Sequence, residues 1–497
     1  MRAALRPRPT PATLTRLVAV LLFASALGRV TAAQAQLVDE GYSLDLVEIP
    51  VLGSGRVVSM GGAFVALAEG IDGVPFNPAA YAVRSPREHS FFEWELSPSF
   101  SFGTSKNDVF NSGRGGLNVD NQLSLELGLR FQFGPVGVGG YIHLESYTAA
   151  IDGRTVTVLA TRSHVGGGAA FANGQLVVGV GLRALQATLS AGAEVGDTFQ
   201  LDLFSFVGFG VEAGALYMPA DRPYRLGAAF ASAVHSIVDP VTSSMVGTQP
   251  QVPRPRGFQN PLELRLGGAY QFGPRRLNAR TFENKDVEGP VMRELRQQWC
   301  ERELEQVRRE LAESGQPEPE RGLTCPRLRV RARDPNFRAA ERERQEQELD
   351  EAEDRIDRLE DEFDAHLHAL ADQAPREFYL LSASVIFLGR AEPDSIGLDA
   401  FFDQEHRTRR QTASFAFRVG VEMEPWPNRL KVRGGMYLEP ARSAELPPRL
   451  HATCGFDLRL FRWDLFGLMD PFDFRVSFTF DGAYDYVSYS VGAGMWY

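Results

Sequence analysis

Cysteine is nearly absent from the chain. Three cysteines in 497 residues, Cys300, Cys325 and Cys454, supply neither a disulfide framework nor a metal cluster. Zinc-ligand spacing, a phosphate-binding glycine loop and a G-x-S-x-G elbow are also missing. The eight histidines are scattered. His366 and His368 lie two apart in a helical stretch and diverge rather than converge on a metal. No Ser/His/Asp set stands out. These absences argue against an enzyme, and no catalytic residue, metal or cofactor is expected. The net charge of −11 argues against a nucleic-acid partner. After the first 36 residues there is no apolar run of 18 or more, so any membrane crossing must be made by a closed barrel of strands.

What is abundant is glycine, with 48 residues, and phenylalanine, with 34. That composition suits many strands and tight turns rather than a helical or doubly wound architecture. Arg2, Arg6, Arg8 and Arg16 precede an apolar stretch, Leu17 to Leu27, and Ala33-Gln34-Ala35 follows as a small-x-small site. This reads as a secretory signal over residues 1–35, with a mature start at Gln36. The apolar stretch is much shorter than the roughly 20 residues a spanning helix needs. No cysteine follows the site, so a lipoprotein anchor is not expected.

From about residue 90 the chain repeats one theme, alternating apolar and polar residues between turn signals. In Leu123 to Phe133 one face is Leu and Phe, and the other carries Glu126 and Arg130. The same division places Glu263 and Arg265, Arg418 and Glu422, and Asp473 and Arg475 on polar faces opposite apolar ones. A polar face with both charge signs suits a lumen where they pair, and a continuous Phe/Leu face suits lipid. These eight residues are read as a lumenal charge network rather than as acid/base catalysts.

Fourteen strands are expected, at about 90–104, 121–133, 135–149, 158–172, 175–189, 202–218, 223–235, 261–273, 376–390, 411–424, 429–440, 449–461, 471–482 and 484–497. Alternate connections are tight (Gly134-Pro135, Ala172 to Gly174, Pro219 to Arg222, Pro425 to Asn428), while those near 105–120, 236–260 and 391–410 are long. Short turns inside and long loops outside are the asymmetry of bacterial barrels. Trp426 and Trp463 fall at the short-turn end, where an aromatic girdle belongs. The terminal YDYVSYSVGAGMWY resembles the signal read by the barrel assembly machinery. The reading is all-β: an antiparallel transmembrane barrel of about fourteen strands, in contact with lipid, in the outer membrane of a Gram-negative-type envelope.

Residues 275–375 break the pattern. They are dense in Glu and Arg, and Leu349, Ala352, Ile356, Leu359, Phe363, Leu367 and Leu370 follow a coiled-coil seam. Helices over about 288–313 and 338–371 make a hairpin, in which Cys300 and Cys325 could join as a disulfide in an oxidising compartment. Strand parity puts this insertion on the periplasmic side, as a solvated spacer or as a docking arm for a periplasmic protein. It divides the barrel into residues 90–274 and 376–497.

Residues 36–89 are too few for a domain and too apolar for a free tail, and are expected to fold inside the barrel as a plug. They contain Gly61-Gly62, which permits close backbone packing, and the turn dipeptide Asn77-Pro78. In its Gly-Gly-Ala motif, acidic residues and Asn-Pro-Ala motif (Gly61, Gly62, Ala63, Glu69, Asp72, Asn77, Pro78, Ala79) the chain resembles the FadL/TodX family of outer-membrane transporters. Phe206 to Ser232 also resembles that family's central hairpin. The resemblance implies a fourteen-stranded barrel with an N-terminal hatch. It further implies passive uptake of hydrophobic small molecules, long-chain fatty acids or hydrocarbons, gated by a hatch hinged at Gly61-Gly62 and Asn77-Pro78. It also implies a lateral exit at a kink in the third strand, for which Gly139-Gly140 is the candidate position. PorV-like relatives of a secretion system share the signature and imply the alternative, a structural or secretion-associated barrel whose insertion docks a periplasmic partner.

Overall fold

The computed structural model describes residues 41–47, 50–84, 92–103, 108–111, 119–151, 154–192, 200–220, 222–237, 253–278, 285–317, 333–373, 377–409, 412–441, 447–463 and 472–496. Fourteen antiparallel strands close on themselves. They are β1 (Phe92–Gly103), β2 (Val119–Phe133), β3 (Val136–Ile151), β4 (Arg154–Phe171), β5 (Leu176–Gly192), β6 (Gln200–Tyr217) and β7 (Tyr224–Ala231). The second half comprises β8 (Glu263–Phe272), β9 (Tyr379–Leu388), β10 (Ser414–Trp426), β11 (Leu430–Glu439), β12 (Arg449–Trp463), β13 (Phe472–Ala483) and β14 (Tyr486–Met495). Each expected span overlaps one strand of the barrel; the span 223–235 also takes in Val234–His235, which belongs to a separate sheet. The signal segment, residues 1–35, lies outside the described residues.

The alternation resolves into an inside and an outside because side chains of a strand point to opposite faces. Along β2, Leu127 is 47 % exposed while Arg130 is 1 % exposed. The inversion of a soluble protein, with Leu and Phe outward and Arg and Glu inward, holds around the wall. No described helix is long and apolar enough to cross a membrane. Trp426 ends β10 exposed at the short-turn end.

The ladders differ in completeness. β3 pairs without a break through Gly139 and Gly140 on both sides, with Arg130 and Leu129 of β2 and with Gly166 and Val165 of β4. Both glycines keep ordinary rungs. Two ladders are shorter, that of β6 with β7 and that of the closing seam. β14 and β1 pair only from Ser488↔Gly103 to Gly492↔Ser99, although β1 continues along β2 to Phe92↔Phe133 and β14 continues along β13 to Met495↔Phe474.

The plug segment sits inside the wall, as a helical turn at Gly55–Ser59 and 3-10 turns at Ile71–Gly73 and Pro78–Ala82. At the long-loop end, Ser43–Asp45 is an inner strand of a four-stranded sheet. It runs parallel to Gly257–Asn260 and Ser395–Gly397, and Val234–His235 completes the sheet. Tyr42, Leu44, Phe110, Ile396 and Phe401 pack there against inward residues of the upper wall such as Val158, Leu189 and Phe206, closing the mouth. Parallel strands of three or four residues from distant segments leave no local pattern, so the sequence showed only long loops here.

The insertion forms two helices, α1 (Lys285–Glu313) and α2 (Pro335–Gln373). Val291 and Leu295 pack on Ala352 and Ile356, with Leu349, Leu359 and Trp299 alongside. Arg302 reaches Glu341 at 3.0 Å and Glu348 at 2.6 Å, and burial notwithstanding, these hydrogen-bonded carboxylates raise its pKa. Cys300 is disulfide-bonded, Cys454 is a free thiol on an exposed face, and Cys325 lies outside the described residues.

Candidate functional site

The plug is moulded to the wall at glycines. Gly137 of β3, Gly179 of β5, Gly214 of β6, Gly227 of β7, Gly420 of β10 and Gly435 of β11 all point inward. A Cβ at these positions would overlap the Tyr81 carbonyl, the Pro78 carbonyl, the Asn77 side chain, the Val65 carbonyl, the Met60 carbonyl and the Gly61 amide respectively. Only the missing side chain lets plug backbone touch wall backbone.

The motif residues meet the wall at these contacts. Asn77 Nδ2 donates to the carbonyls of Val65 (2.9 Å) and Ala215 (3.1 Å) of β6, while its Oδ1 accepts from the Ala79 amide at 3.1 Å. That bond caps the 3-10 turn that Pro78 opens. Gly61 and Gly62 have φ of 60° and 69°, the left-handed region that other residues avoid. A Cβ on Gly61 would stand 3.0 Å from Met436 backbone atoms. The Ala63 carbonyl accepts from Ser382 Oγ of β9 at 2.6 Å. The Tyr81 hydroxyl pKa is pushed up by burial and by nearby Glu212.

Charge holds the plug from the other side. One unbroken relay runs from β13 to β7 through it. Arg475 bonds Asp457 (2.6 Å), which bonds Arg433 (2.7 Å), which bonds Glu422 (2.5 Å). Glu422 bonds Arg56 of the plug (2.8 Å), Arg56 bonds Glu69 (2.8 Å), and Glu69 bonds Arg225 of β7 (2.6 Å). Burial alone pushes the Glu69 carboxyl up. The Arg225 and Arg56 guanidiniums more than offset this and hold it at about 2. Arg56 is lowered by burial but raised overall by Glu422 and Glu69. Asp72, the second acid of the motif, lies 3.8 Å from Arg475.

Of the eight residues expected to line the lumen, the relay takes Glu422 and Arg475. Arg130 of β2 bonds Glu93 at 2.8 Å and donates to the plug carbonyls of Ala80 and Val83. Glu263 and Arg265 pair with each other at 2.6 Å, and Arg265 also donates to the Pro75 carbonyl. Arg418 lies over the Phe76 ring with its guanidinium carbon 5.8 Å from the centroid. Glu126 is 3.7 Å from His143, and Asp473 is apart from the others, on Arg459.

The structure also joins a set the sequence did not suggest. His143 Nε2 is 3.3 Å from Ser124 Oγ, and its Nδ1 is 3.4 Å from Glu145. The Ser124 hydroxyl donates to Glu126, and Glu145 is held by Tyr147 and Arg162, so the set belongs to the paired wall. Among the described residues no group of three or more His, Cys, Asp or Glu could hold a metal.

Between plug and wall lies a cavity. Its lining mixes apolar side chains (Val47, Leu52, Phe76, Ile386, Leu388 and Ala416) with Arg162, Arg183, Arg265, Arg418, His143 and His164, and cross-strand register sets Arg265 beside Ile386. Its acids are Glu263 and Glu439.

Neither a protein-family model nor a curated protein matches the chain. Solved structures are similar to it in fold. The CymD monoaromatic hydrocarbon channel is 11 % identical, over 91 % of this chain and 97 % of that one, with a TM-score of 0.43. The Ralstonia pickettii toluene transporter TbuX is 11 % identical, over 90 % and 99 %, with a TM-score of 0.45. The P. putida toluene transporter TodX is likewise 11 % identical, over 90 % and 99 %, with a TM-score of 0.44.

Proposed function

We propose that the protein is an outer-membrane channel for passive uptake of hydrophobic small molecules. The cavity carries this reading: a chamber lined by apolar and arginine side chains, inside a closed barrel whose outer face is Leu and Phe. An exposed apolar band around a closed barrel is what a bilayer covers. A chamber lined by both apolar and polar side chains fits a solute with an alkyl body and a polar end, such as a long-chain fatty acid. Each buried methylene contributes about 0.8 kcal/mol, so capture needs no energy source.

Ala416, in the lining of the cavity, is buried. Ala416→Trp is expected to weaken binding of radiolabelled oleate to the purified protein at least tenfold. Leu381→Trp, on the exposed outer face of β9, leaves it unchanged. Equal affinity in all three proteins would remove the cavity as the solute site.

A second reading has one observation in its favour. The glycine cradle and the charge relay seal the middle of the lumen with plug backbone and ion pairs. A sealed barrel with a long charged arm suits a secretion-associated scaffold that docks a periplasmic protein.

A further inference from the structure

We propose that the root of the helical insertion is a latch on the plug, which holds solute uptake in check from the periplasmic side. This control rests on the uptake reading above. The root is the short stretch where the insertion leaves and rejoins the wall: Arg275 to Asn278 after β8, and Glu377-Phe378 before β9. A solvated spacer would leave these residues in water. Leu277, Asn278 and Phe378 are instead only 4 %, 3 % and 2 % exposed.

Two sets of contacts fasten the root to the plug. The first is polar and passes through Arg225 of β7. Its Nη1 donates to the plug, at the Leu67 carbonyl (3.1 Å) and Glu69 (2.6 Å). Its Nε and Nη2 donate to the root, at Asn278 Oδ1 (2.8 Å) and the Leu277 carbonyl (2.6 Å). One buried guanidinium thus divides its donors between plug and root. The second set is apolar. Leu277 and Phe378, one from each end of the insertion, share a cluster with Phe64, Leu67 and Phe76 of the plug. Arg275 lies over the Phe378 ring, its guanidinium carbon 4.2 Å from the centroid, and its charge acts on Glu69 after those of Arg225 and Arg56.

The root is seated at the short-turn end of the wall. Asn278 Nδ2 donates to the carbonyls of Pro219 (2.8 Å), Arg222 (3.0 Å) and Tyr224 (3.0 Å), in the tight turn between β6 and β7 and the first residue of β7. Tight turns lie on the periplasmic side of a bacterial barrel. In sequence, six residues separate Asn278 from α1, and three separate α2 from Glu377. Both halves of the latch therefore hang on the arm. The glycine cradle ties the plug to strands of a closed barrel. The root belongs to a segment outside the wall, so it can withdraw without breaking a rung. Its withdrawal strips the plug of Leu277 and Phe378 and leaves Arg225 without its bonds to Leu277 and Asn278.

The test removes the latch in the full chain. Leu277→Ala with Asn278→Ala takes away the apolar contact and the side-chain bonds of the root and touches no rung of the barrel. In the purified protein it is expected to speed amide hydrogen exchange across residues 64–82 at least tenfold, the sign of local opening. In cells it is expected to raise initial uptake of radiolabelled oleate at least threefold over the parent. Val307→Ala, in the packing between α1 and α2, leaves both rates at the parental value. Parental exchange in the root variant would overturn the latch and leave the uptake reading standing. Faster exchange with parental uptake would overturn the control of uptake. No uptake by any of the proteins, above cells lacking the chain, would remove the uptake reading and its control together, while the exchange rates still report whether the root holds the plug. Should the double variant fail to assemble, Leu277→Ala alone is expected to speed exchange at least threefold, and parental exchange there would overturn the latch.

Discussion

Valine at both Gly179 and Gly214 is expected to expel the Asn77-Pro78-Ala79 corner of the plug from the wall. The two glycines face that corner from adjacent strands, paired directly as Gly179↔Gly214. A Cβ on either would overlap the Pro78 carbonyl or the Asn77 side chain. Neither neighbour can rotate away: one is main chain, and the other is fixed by three hydrogen bonds to Val65, Ala215 and Ala79. Overpacking typically costs about 1–3 kcal/mol per site. Unseating Asn77 adds the loss of its hydrogen bonds, at about 1 kcal/mol each. The double variant should therefore form the barrel with its plug undocked, seen as rapid proteolysis within residues 55–83 and a lower melting temperature. Gly268→Val is the control, because a Cβ there meets only the tip of Leu226; its digestion pattern should match the parent. A double variant as resistant as the parent would show that the cradle does not position the plug.

Glu69→Gln should produce the second large effect. It leaves the buried Arg225 with neutral acceptors only, Asn278 Oδ1 and the carbonyls of Leu67 and Leu277, and cuts the charge relay where the plug meets β7. Breaking a buried pair on one side costs roughly 3–5 kcal/mol. Acid should act through the same group. Its carboxyl is held at about 2 in the fold against an ordinary 4.5, so the charged form is favoured by the folded state. The stabilisation is complete above about pH 4.5 and disappears as pH falls towards 2. The size of the depression corresponds to about 3 kcal/mol. The melting temperature of the parent should drop between pH 5 and pH 2.5 by more than that of Glu69→Gln, which has already lost this contribution. Equal drops in the two proteins would locate the acid sensitivity elsewhere.

The strands were legible because lipid on one side and a lumen on the other force strict alternation. Leu123 to Phe133 shows it residue by residue, and β2 lies there. The helices were legible from the seam Leu349, Ala352, Ile356 and Leu359, which packs as that spacing demands. Charge partners were not all legible, because they depend on the register across strands as well as on spacing along one. Asp473 and Arg475 share a face of one strand, and the ladder lays that face against Asp457 and Arg459 of the next. Arg475 accordingly takes Asp457 of β12, and Asp473 takes Arg459. Arg130 likewise takes Glu93 of β1 rather than Glu126 of its own strand. The glycine cradle needed register as well. Gly137, Gly179, Gly214, Gly227, Gly420 and Gly435 are ordinary strand glycines in sequence, and only the ladder puts them on one belt around the plug. The seam had a local sign, Pro98 within β1, since proline in a strand marks a place where a rung is missing.

The channel reading and the scaffold reading part at one measurement. Cells lacking a long-chain fatty-acid uptake protein of their own, with and without this chain, are given radiolabelled oleate at low concentration, and initial uptake is compared. The channel reading predicts at least tenfold faster uptake with the chain, independent of metabolic energy at the outer membrane. Equal initial rates, with the barrel present and folded in the outer membrane, would contradict it.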